Sequence, residues 1–116
     1  MKVLALPEVR QYFKELSYIL YEKNYFGYPE TAKKYVEELF EDIKTTLPNR
    51  QKRYAPLYFE KYGTDMYYAV FTRSRRTQWY VFFNIYEDDG ELIYLIRYIS
   101  NNHIIAQFMQ HEKGSR

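Results

Sequence analysis

The sequence predicts an α+β fold, in which a short N-terminal strand and an α-helical hairpin precede an antiparallel meander sheet of three to four strands. Two amphipathic stretches occupy the first half of the chain, and four runs of β-branched and aromatic residues occupy the second half. Two paired helices cannot bury both of their apolar stripes against each other, so they need a sheet. The length predicts a single domain over residues 1–116.

The N-terminal half of the chain predicts the short strand and the helical hairpin. Residues 2–6 (KVLAL) form an apolar run of strand length that ends at a proline. Apolar residues then recur every three or four positions from residue 9 to residue 20, and again from residue 32 to residue 47. Gly27 and Pro29 lie between the two stripes and predict a tight link. The two helices are therefore expected to pack as an antiparallel pair.

The C-terminal half predicts the sheet. The predicted strands are residues 66–72, 79–86, 92–99 and 104–109. The segments between them are short and polar, and Asp89-Gly90 is a good hairpin signal. Short connections join neighbouring antiparallel strands. One core is expected to combine the helical stripes with one strand face, and its predicted members are Leu16, Leu20, Val36, Leu39, Phe40, Ile43, Val81, Phe83 and Ile85.

The charge of the chain is unevenly distributed along the sequence. Residues 49–86 carry seven basic and two acidic groups, whereas the segments on either side have a small net negative charge. Aromatic residues make up 21% of the chain and include 15 tyrosines, which suit half-exposed binding surfaces because each ring keeps a polar hydroxyl. A basic segment beside stackable rings favours an anionic partner, and nucleic acid in particular.

Several classes of site have no support in the sequence. There is no cysteine, so disulfides and thiolate metal sites are excluded, and His103 and His111 are too far apart for a helical metal motif. No glycine-rich phosphate loop occurs, and we expect neither a metal nor a cofactor. No apolar run approaches the roughly 18 residues of a membrane span, and the N-terminal run is too short for a signal peptide. A cytoplasmic protein without membrane contact is therefore expected.

Five cations of the basic segment are candidate nucleic-acid-binding residues: Arg53, Lys61, Arg73, Arg75 and Arg76. Three of these arginines lie in the turn RSRRTQ, directly before an aromatic strand. Charged runs in turns are more often plain solvated surface, so the preference for nucleic acid depends on the regional excess of positive charge.

Arg97 lies inside the predicted strand 92–99. Strict alternation places it on one face with Ile93, Leu95 and Ile99, and places Tyr94, Ile96 and Tyr98 on the other. An arginine among apolar neighbours needs either an anionic ligand or a carboxylate partner within the fold. The sequence favours neither of these two interpretations over the other.

Four segments, taken in order, resemble the RelE/ParE toxin superfamily of bacterial type II toxin–antitoxin systems. They are LPEV near the start, KYG at 61–63, TQWYVFF at 77–83 and RYISNNHIIAQ at 97–107. The resemblance in element order covers nearly the whole chain. It implies a toxin that is neutralised by a cognate antitoxin protein, and a RelE/ParE-like sheet with a helical hairpin.

The resemblance implies two kinds of target. RelE-like members cleave mRNA on the ribosome without a metal, through attack of the RNA 2′-hydroxyl on the adjacent phosphate, and cationic side chains hold that phosphate. ParE-like members share the fold but poison DNA gyrase without enzymatic activity. A third reading is a degenerate toxin that only binds its antitoxin. The resemblance thus leaves endoribonuclease activity open.

The residues that the resemblance carries over form a rearranged set. RelE-type enzymes carry lysines where this sequence has Tyr67 and Tyr68. A nuclease built on this chain would use Arg97 and the arginines of the RSRRTQ turn to hold phosphates. His103 would then act as the general acid or base, because histidine exchanges protons near neutral pH. The alternative for His103 is a turn residue that hydrogen-bonds its backbone neighbours.

Overall fold

The strands and helices follow the order that the sequence predicts, with one additional short strand. The structure is a computed structural model that describes residues 1–23, 26–74 and 77–102. Its elements are β1 (Lys2–Ala5), α1 (Pro7–Glu22), α2 (Pro29–Thr46), β2 (Arg53–Tyr54), β3 (Tyr67–Ser74), β4 (Thr77–Asp88) and β5 (Glu91–Asn101). The predicted strand at 104–109 lies outside the described residues, as do Arg75, Arg76 and His103.

Both helices begin with a proline and bury one apolar stripe. Pro7 and Pro29 occupy first-turn positions, where a missing N–H removes no helical hydrogen bond. The buried residues are Val9, Phe13, Leu16 and Leu20 in α1, and Ala32, Val36, Leu39 and Ile43 in α2. Their spacing of three and four residues is the one that the sequence predicts. Among the described residues, no helix is long and apolar enough to span a membrane.

The sheet has five strands in the order β1-β5-β4-β3-β2, and it is mixed. Three pairs, β2–β3, β3–β4 and β4–β5, are antiparallel, whereas β1 lies parallel to β5. The fold is therefore α+β, and β2 to β5 pair antiparallel in chain order. The prediction of an antiparallel meander did not describe the mixed sheet in full. It missed that β1 joins the same sheet, which the two-helix crossover after Ala5 allows in the parallel sense. It also missed the two-residue strand β2, which is too short to show alternation.

A β-bulge in β5 interrupts the alternation of its side chains. Phe82 pairs with Tyr98 and Phe83 pairs with Ile96, so Arg97 is an extra residue without a partner in register. Past this point the faces are exchanged, and Ile99 packs in the helix-facing core while Tyr98 packs in the cluster on the opposite face.

The predicted facing of Tyr98 and Ile99 is therefore wrong. Strict alternation assumes that each residue of the strand has one partner, whereas a bulge sets two residues of one strand against one of the other. The consequence is that Arg97 and Tyr98 both lie beside Tyr62, on the sheet face away from the helices.

Two apolar clusters lie on the two faces of the sheet. The larger joins both helices to β3, β4 and β5, and its buried members include Trp79, Val81 and Phe83. All nine predicted core residues belong to it, with Phe40 and Ile85 at its partly buried margin, so this prediction is confirmed. The smaller cluster contains Phe59, Met66 and Phe82 and is covered by the 3₁₀ segment Leu57–Lys61.

Candidate nucleic-acid interface

Apart from Lys52, whose ammonium lies 5.4 Å from the centre of the Tyr67 ring, the described cations of the basic segment and Arg97 fall into two groups at different places on the sheet. The first, here called the edge group, consists of Arg50, Arg53 and Arg73 and lies along the outer edge of β3. The second, here called the face group, consists of Lys61 and Arg97, on the face away from the helices. Sequence alone could not separate the two groups, because register and the bulge determine them.

The edge group is tied to α2 by an ion network around Asp42. The Oδ2 atom of Asp42 accepts hydrogen bonds from Arg50 at 3.1 Å and from Arg73 at 3.4 Å. Arg73 also approaches Glu38 at 3.7 Å, and its side chain is 20% exposed. Much of the positive charge of Arg73 is thus offset by carboxylates, which leaves Arg53 as the exposed cation of this group.

The outer edge of β3 is mostly uncovered within the part of the chain that the structure describes. Strand β2 pairs only with Tyr67 and Tyr68, so β3 has no described neighbour on that side from Ala69 onward. Arg50 and Arg53 line a shallow cavity of about 340 Å³ along this edge. The guanidinium of Arg50 also lies 4.1 Å from the centre of the Phe71 ring. This edge can attract an anion, and Arg53 is the member of the edge group that offers a charge without a described ion pair.

Lys61 lies against tyrosine rings at the end of the 3₁₀ segment. Its ammonium is 4.1 Å from the centre of the Tyr58 ring and 5.4 Å from that of Tyr62, and it donates a hydrogen bond of 3.1 Å to the Tyr58 hydroxyl. Cation–π contacts of this kind hold the head group over the rings while leaving its charge available to solvent. Lys61 is exposed, so a phosphate can reach it.

Arg97 is held in place by neutral oxygens. Its Nε donates to the Asn84 side-chain oxygen at 2.6 Å, and one terminal nitrogen donates to the Tyr86 hydroxyl at 2.7 Å. Asn84 in turn donates to the backbone carbonyl of Thr64 at 3.0 Å, which anchors the loop before β3. The ion pairs of the described residues do not include Arg97. Hydrogen bonds therefore fix the orientation of the Arg97 guanidinium, but no described carboxylate neutralises its charge.

The position of Arg97 depends on Gly63, because residue 63 has no side chain there. A Cβ atom at Gly63 would lie 2.5 Å from the Cδ of Arg97 and 3.0 Å from the sulfur of Met66. Any larger residue would push the guanidinium away from Asn84. The KYG sequence thus places the cation of Lys61, the ring of Tyr62 and the space left by Gly63 in three consecutive residues.

Two tyrosines next to Arg97 form a closely stacked pair. The rings of Tyr62 and Tyr98 have centroids 3.9 Å apart and planes inclined by only 4°. Both rings line a cavity of about 370 Å³, whose other walls are Arg97, the buried Ser100 and residues of the first turns of α1, Glu8, Val9 and Tyr12. This cavity lies where β5 extends beyond its last pairing with β1, at Ile96.

Tyr12 and Tyr62, which line the cavity, remain protonated at neutral pH. Burial raises the pKa of Tyr12 to about 12, with a further contribution from Tyr98. Burial and a hydrogen bond with Tyr98 raise the pKa of Tyr62 to about 12 as well. These phenols can donate hydrogen bonds to a phosphate oxygen, but they cannot serve as bases near pH 7. The described residues include no histidine, since both histidines lie in 103–116.

The structure accounts for some of the predicted site residues and adds others. Arg53, Lys61, Arg73 and Arg97 are described, whereas the predicted Arg75, Arg76 and His103 lie outside the described residues. Within residues 1–23, 26–74 and 77–102, no group of three acidic or histidine side chains is placed to hold a metal ion.

Three residues that shape these sites were not predicted as site residues: Asp42, Tyr62 and Asn84. Asn84 carried a usable signal, because it is a polar residue inside the otherwise apolar run VFFNIY. Tyr62 lies in the resembling segment KYG but was not itself predicted as a site residue, whereas Asp42 carried no signal because it resembles its neighbours in composition.

Comparisons of the chain with protein-family models, with curated proteins and with solved structures find no match.

Proposed function

We propose that this protein is a RelE/ParE-like toxin of a type II toxin–antitoxin system, and that it arrests translation by cleaving mRNA on the ribosome. The observation that carries the proposal is the face group: Lys61 and Arg97 flank the stacked Tyr62–Tyr98 pair beside an open cavity. Cations combined with exposed ring faces are the usual means of binding single-stranded nucleic acid, because the cations hold phosphates and the rings stack on bases.

The architecture also supports the proposal. A strand, a helical hairpin and then a sheet with antiparallel β3, β4 and β5 is the element order that the resemblance implies. Three of the four resembling segments have described residues at or beside the face group: KYG contains Lys61 and Tyr62, Phe82 of TQWYVFF lies beside Tyr98, and RYISNNHIIAQ begins at Arg97.

The proposed reaction needs no group beyond the chain and the RNA. The 2′-hydroxyl oxygen attacks the adjacent phosphorus, the bond to the 5′-oxygen of the next nucleotide breaks, and a 2′,3′-cyclic phosphate results. Arg97 and Lys61 stabilise the additional negative charge on the phosphate. His103 takes the hydroxyl proton or gives one to the leaving oxygen, and solvent water exchanges the other proton. The neutral Tyr62 and Tyr12 can donate hydrogen bonds but not accept that proton.

The experiment that tests the proposal follows RNA ends after expression is induced in bacteria. We expect growth arrest, with new cyclic-phosphate ends in mRNA that is being translated. Arg97→Ala should abolish these ends while the protein remains folded by circular dichroism. Lys33→Ala is the matched control, since Lys33 is exposed on α2 and lines neither the cavity beside Arg97 nor the one along β3. Intact mRNA during growth arrest would refute the nuclease activity.

A second function, gyrase poisoning without catalysis, is favoured by the ion network around Asp42. Arg50 and Arg73 are engaged by carboxylates, so part of the basic segment serves the fold rather than a phosphate. The same induction experiment distinguishes the two functions, because a gyrase poison traps DNA breaks and leaves mRNA intact. A degenerate toxin that only binds its antitoxin would cause no growth arrest at all.

The proposed partner is an acidic antitoxin that orders on binding and covers the cations of the basic segment. If so, antitoxin and single-stranded RNA compete for the toxin. Titration of RNA into the toxin–antitoxin complex should then give no ternary complex, and simultaneous binding of both would contradict the proposal.

A further inference from the structure

Strand β1 has an uncovered outer edge within the part of the chain that the structure describes. It is the first strand of the sheet order and pairs with β5 alone. The backbone N–H of Leu6 donates to the carbonyl of Ile96 at 3.0 Å, which fixes the direction of its polar groups. Because these directions alternate along a strand, the N–H and C=O groups of Val3 and Ala5 point away from β5.

An apolar groove accompanies this edge. Its volume is about 420 Å³, and it is lined by Val3 to Leu6 of β1 and the following turn, by Phe40 and Ile43 of α2, and by residues 95–96 of β5. The side chain of Leu4 is 48% exposed, and Phe40 is only partly covered. An added strand would pair its backbone with Val3 and Ala5 and place alternate side chains against Phe40 and Ile43.

The charged residues at the groove are both basic. Arg10 of α1 and Lys44 of α2 line it, both are exposed, and the ion pairs of the described residues include neither. A strand of the same charge would be repelled, whereas carboxylates beside an apolar run would complement both cations. The groove thus favours a peptide by its negative charge as well as by its apolar side chains.

We infer that the edge of β1 and its groove bind an extended peptide segment of a partner protein, which adds to the sheet as a sixth strand and carries acidic residues beside an apolar stretch. Addition to a free edge supplies main-chain hydrogen bonds for affinity and side-chain pockets for specificity. The identification of that partner as the antitoxin rests on the proposed function. The edge group lies at the other end of the sheet, so one partner would need two separate segments to cover both places.

Binding is tested with a fluorescein-labelled synthetic ten-residue peptide that has a central Val-Ile-Val-Val run between two pairs of acidic residues. Fluorescence anisotropy of the purified full chain gives its Kd. We expect saturable binding that weakens with salt. Two control peptides should bind at least tenfold more weakly: one with lysines in place of the acidic residues, and one N-methylated at alternate positions so that one strand edge cannot donate.

Protein variants locate the binding site. Ala5→Pro removes an outward N–H without touching those that face β5, and should weaken the Kd roughly two- to tenfold. Lys44→Glu should weaken it by about two- to fivefold, and Arg10→Glu with Lys44→Glu by more. Lys33→Glu, at an exposed position of α2 away from the groove, is the matched control and should bind as the parent does. Because Lys44→Glu leaves the strand intact, it keeps the test valid if Ala5→Pro unfolds.

Three results would overturn the inference. One is equal affinity for the acidic and the basic peptide, and another is unchanged affinity in the Lys44→Glu variant. The third is a stable dimer in light scattering that Leu4→Lys converts to monomer and that the peptide does not displace, because a second copy of the chain would then occupy the edge. RNA cleavage is measured separately, so a chain that binds the peptide but cuts no RNA refutes the nuclease and not the docking edge.

Discussion

Arg73 of β3 is ion-paired with Asp42 of α2, with its Nη1 atom 3.4 Å from the Asp42 Oδ2. The pair joins the outer edge of the sheet to the C-terminal half of the helix that covers it, and Arg50 shares the same carboxylate oxygen at 3.1 Å. Both partners are largely covered, at 20% and 25% side-chain exposure. Asp42 therefore determines how much positive charge the edge group presents to a ligand.

Replacement of Asp42 by asparagine should release that charge. The variant loses two charge-assisted hydrogen bonds, so we expect the free energy of unfolding, measured in urea, to fall by about 1–3 kcal/mol. Because Arg50 and Arg73 become free, binding of single-stranded RNA should become tighter and more dependent on salt. Asp88→Asn, which removes the same charge from the exposed end of β4, is the control. Equal RNA affinity of the two variants would exclude the edge group from the interface.

Leu39 tests the shared core. It is fully buried in the cluster that joins both helices to the sheet. Leu39→Ala should lower the free energy of unfolding by about 2–5 kcal/mol, because it removes a buried isobutyl group and leaves a cavity. Leu57→Ala makes the same chemical change at a side chain that is 63% exposed, and should shift stability by no more than about 0.5 kcal/mol. Chemical denaturation that fails to separate these variants would contradict the packing.

Arg97 tests the face group. Arg97→Ala should leave the protein folded, with a stability loss of about 1–3 kcal/mol from the hydrogen bonds to Asn84 and Tyr86. The salt dependence of RNA binding should fall by about 0.7 of a log–log unit if one phosphate contact is lost. Arg97→Lys keeps the charge but not the two-sided hydrogen bonding, and should recover the salt slope without full activity. A variant that does not fold would assign Arg97 a structural role instead.

The raised pKa values of Tyr12 and Tyr62 determine how the stability of the protein changes in alkali. Burial raises the pKa of Tyr12 and Tyr62 to about 12 in the folded state, above the ordinary value of 10.0. The unfolded chain releases these protons first, so the stabilisation is complete below pH 10 and is lost as the pH rises through 12. Absorbance at 295 nm should show a late tyrosinate step that Tyr12→Phe and Tyr62→Phe each reduce.

The helices and the core were predictable because their signals are local. A stripe with a spacing of three and four residues and a proline in the first turn predict both α1 and α2, with Gly27 after the first helix and Pro48 after the second. Leu16 and Leu39 are buried as the stripe predicts. The long strands were predictable for the same reason, since runs such as WYVFFNIY contain consecutive strand-forming residues.

The partners of the charged residues could not be predicted, because they depend on register. Nothing local to Asp42 indicates that Arg73, 31 positions later, reaches it across the sheet edge. The bulge at Arg97 is likewise invisible in a sequence that alternates on both sides of it, and it changes the face of Tyr98. The candidate cations were therefore predictable from the sequence, whereas strand pairing decides which of them form ion pairs within the fold and which can reach a ligand.

Substitutions of Arg73, Arg75, Arg76 and His103 separate phosphate binding from proton transfer. Arg73→Ala, Arg75→Ala and Arg76→Ala should each weaken ribosome or RNA binding and reduce its salt dependence, if each contacts a phosphate. The effect should be smallest for Arg73, which is already ion-paired with Asp42 and Glu38. His103→Ala should bind RNA almost as the parent does but cleave it about a hundredfold more slowly or worse, because it removes acid–base assistance.

Single-turnover cleavage measured beside equilibrium binding distinguishes these two kinds of loss. A proton-transfer role for His103 also predicts that the cleavage rate of the parent changes between pH 5 and 8, and that this change disappears in His103→Gln. Gln retains hydrogen bonding, so a His103 that merely caps a turn would tolerate it and leave the pH profile unaltered. Parent-like cleavage by His103→Ala would remove His103 from the mechanism and leave proton transfer to solvent or the ribosome.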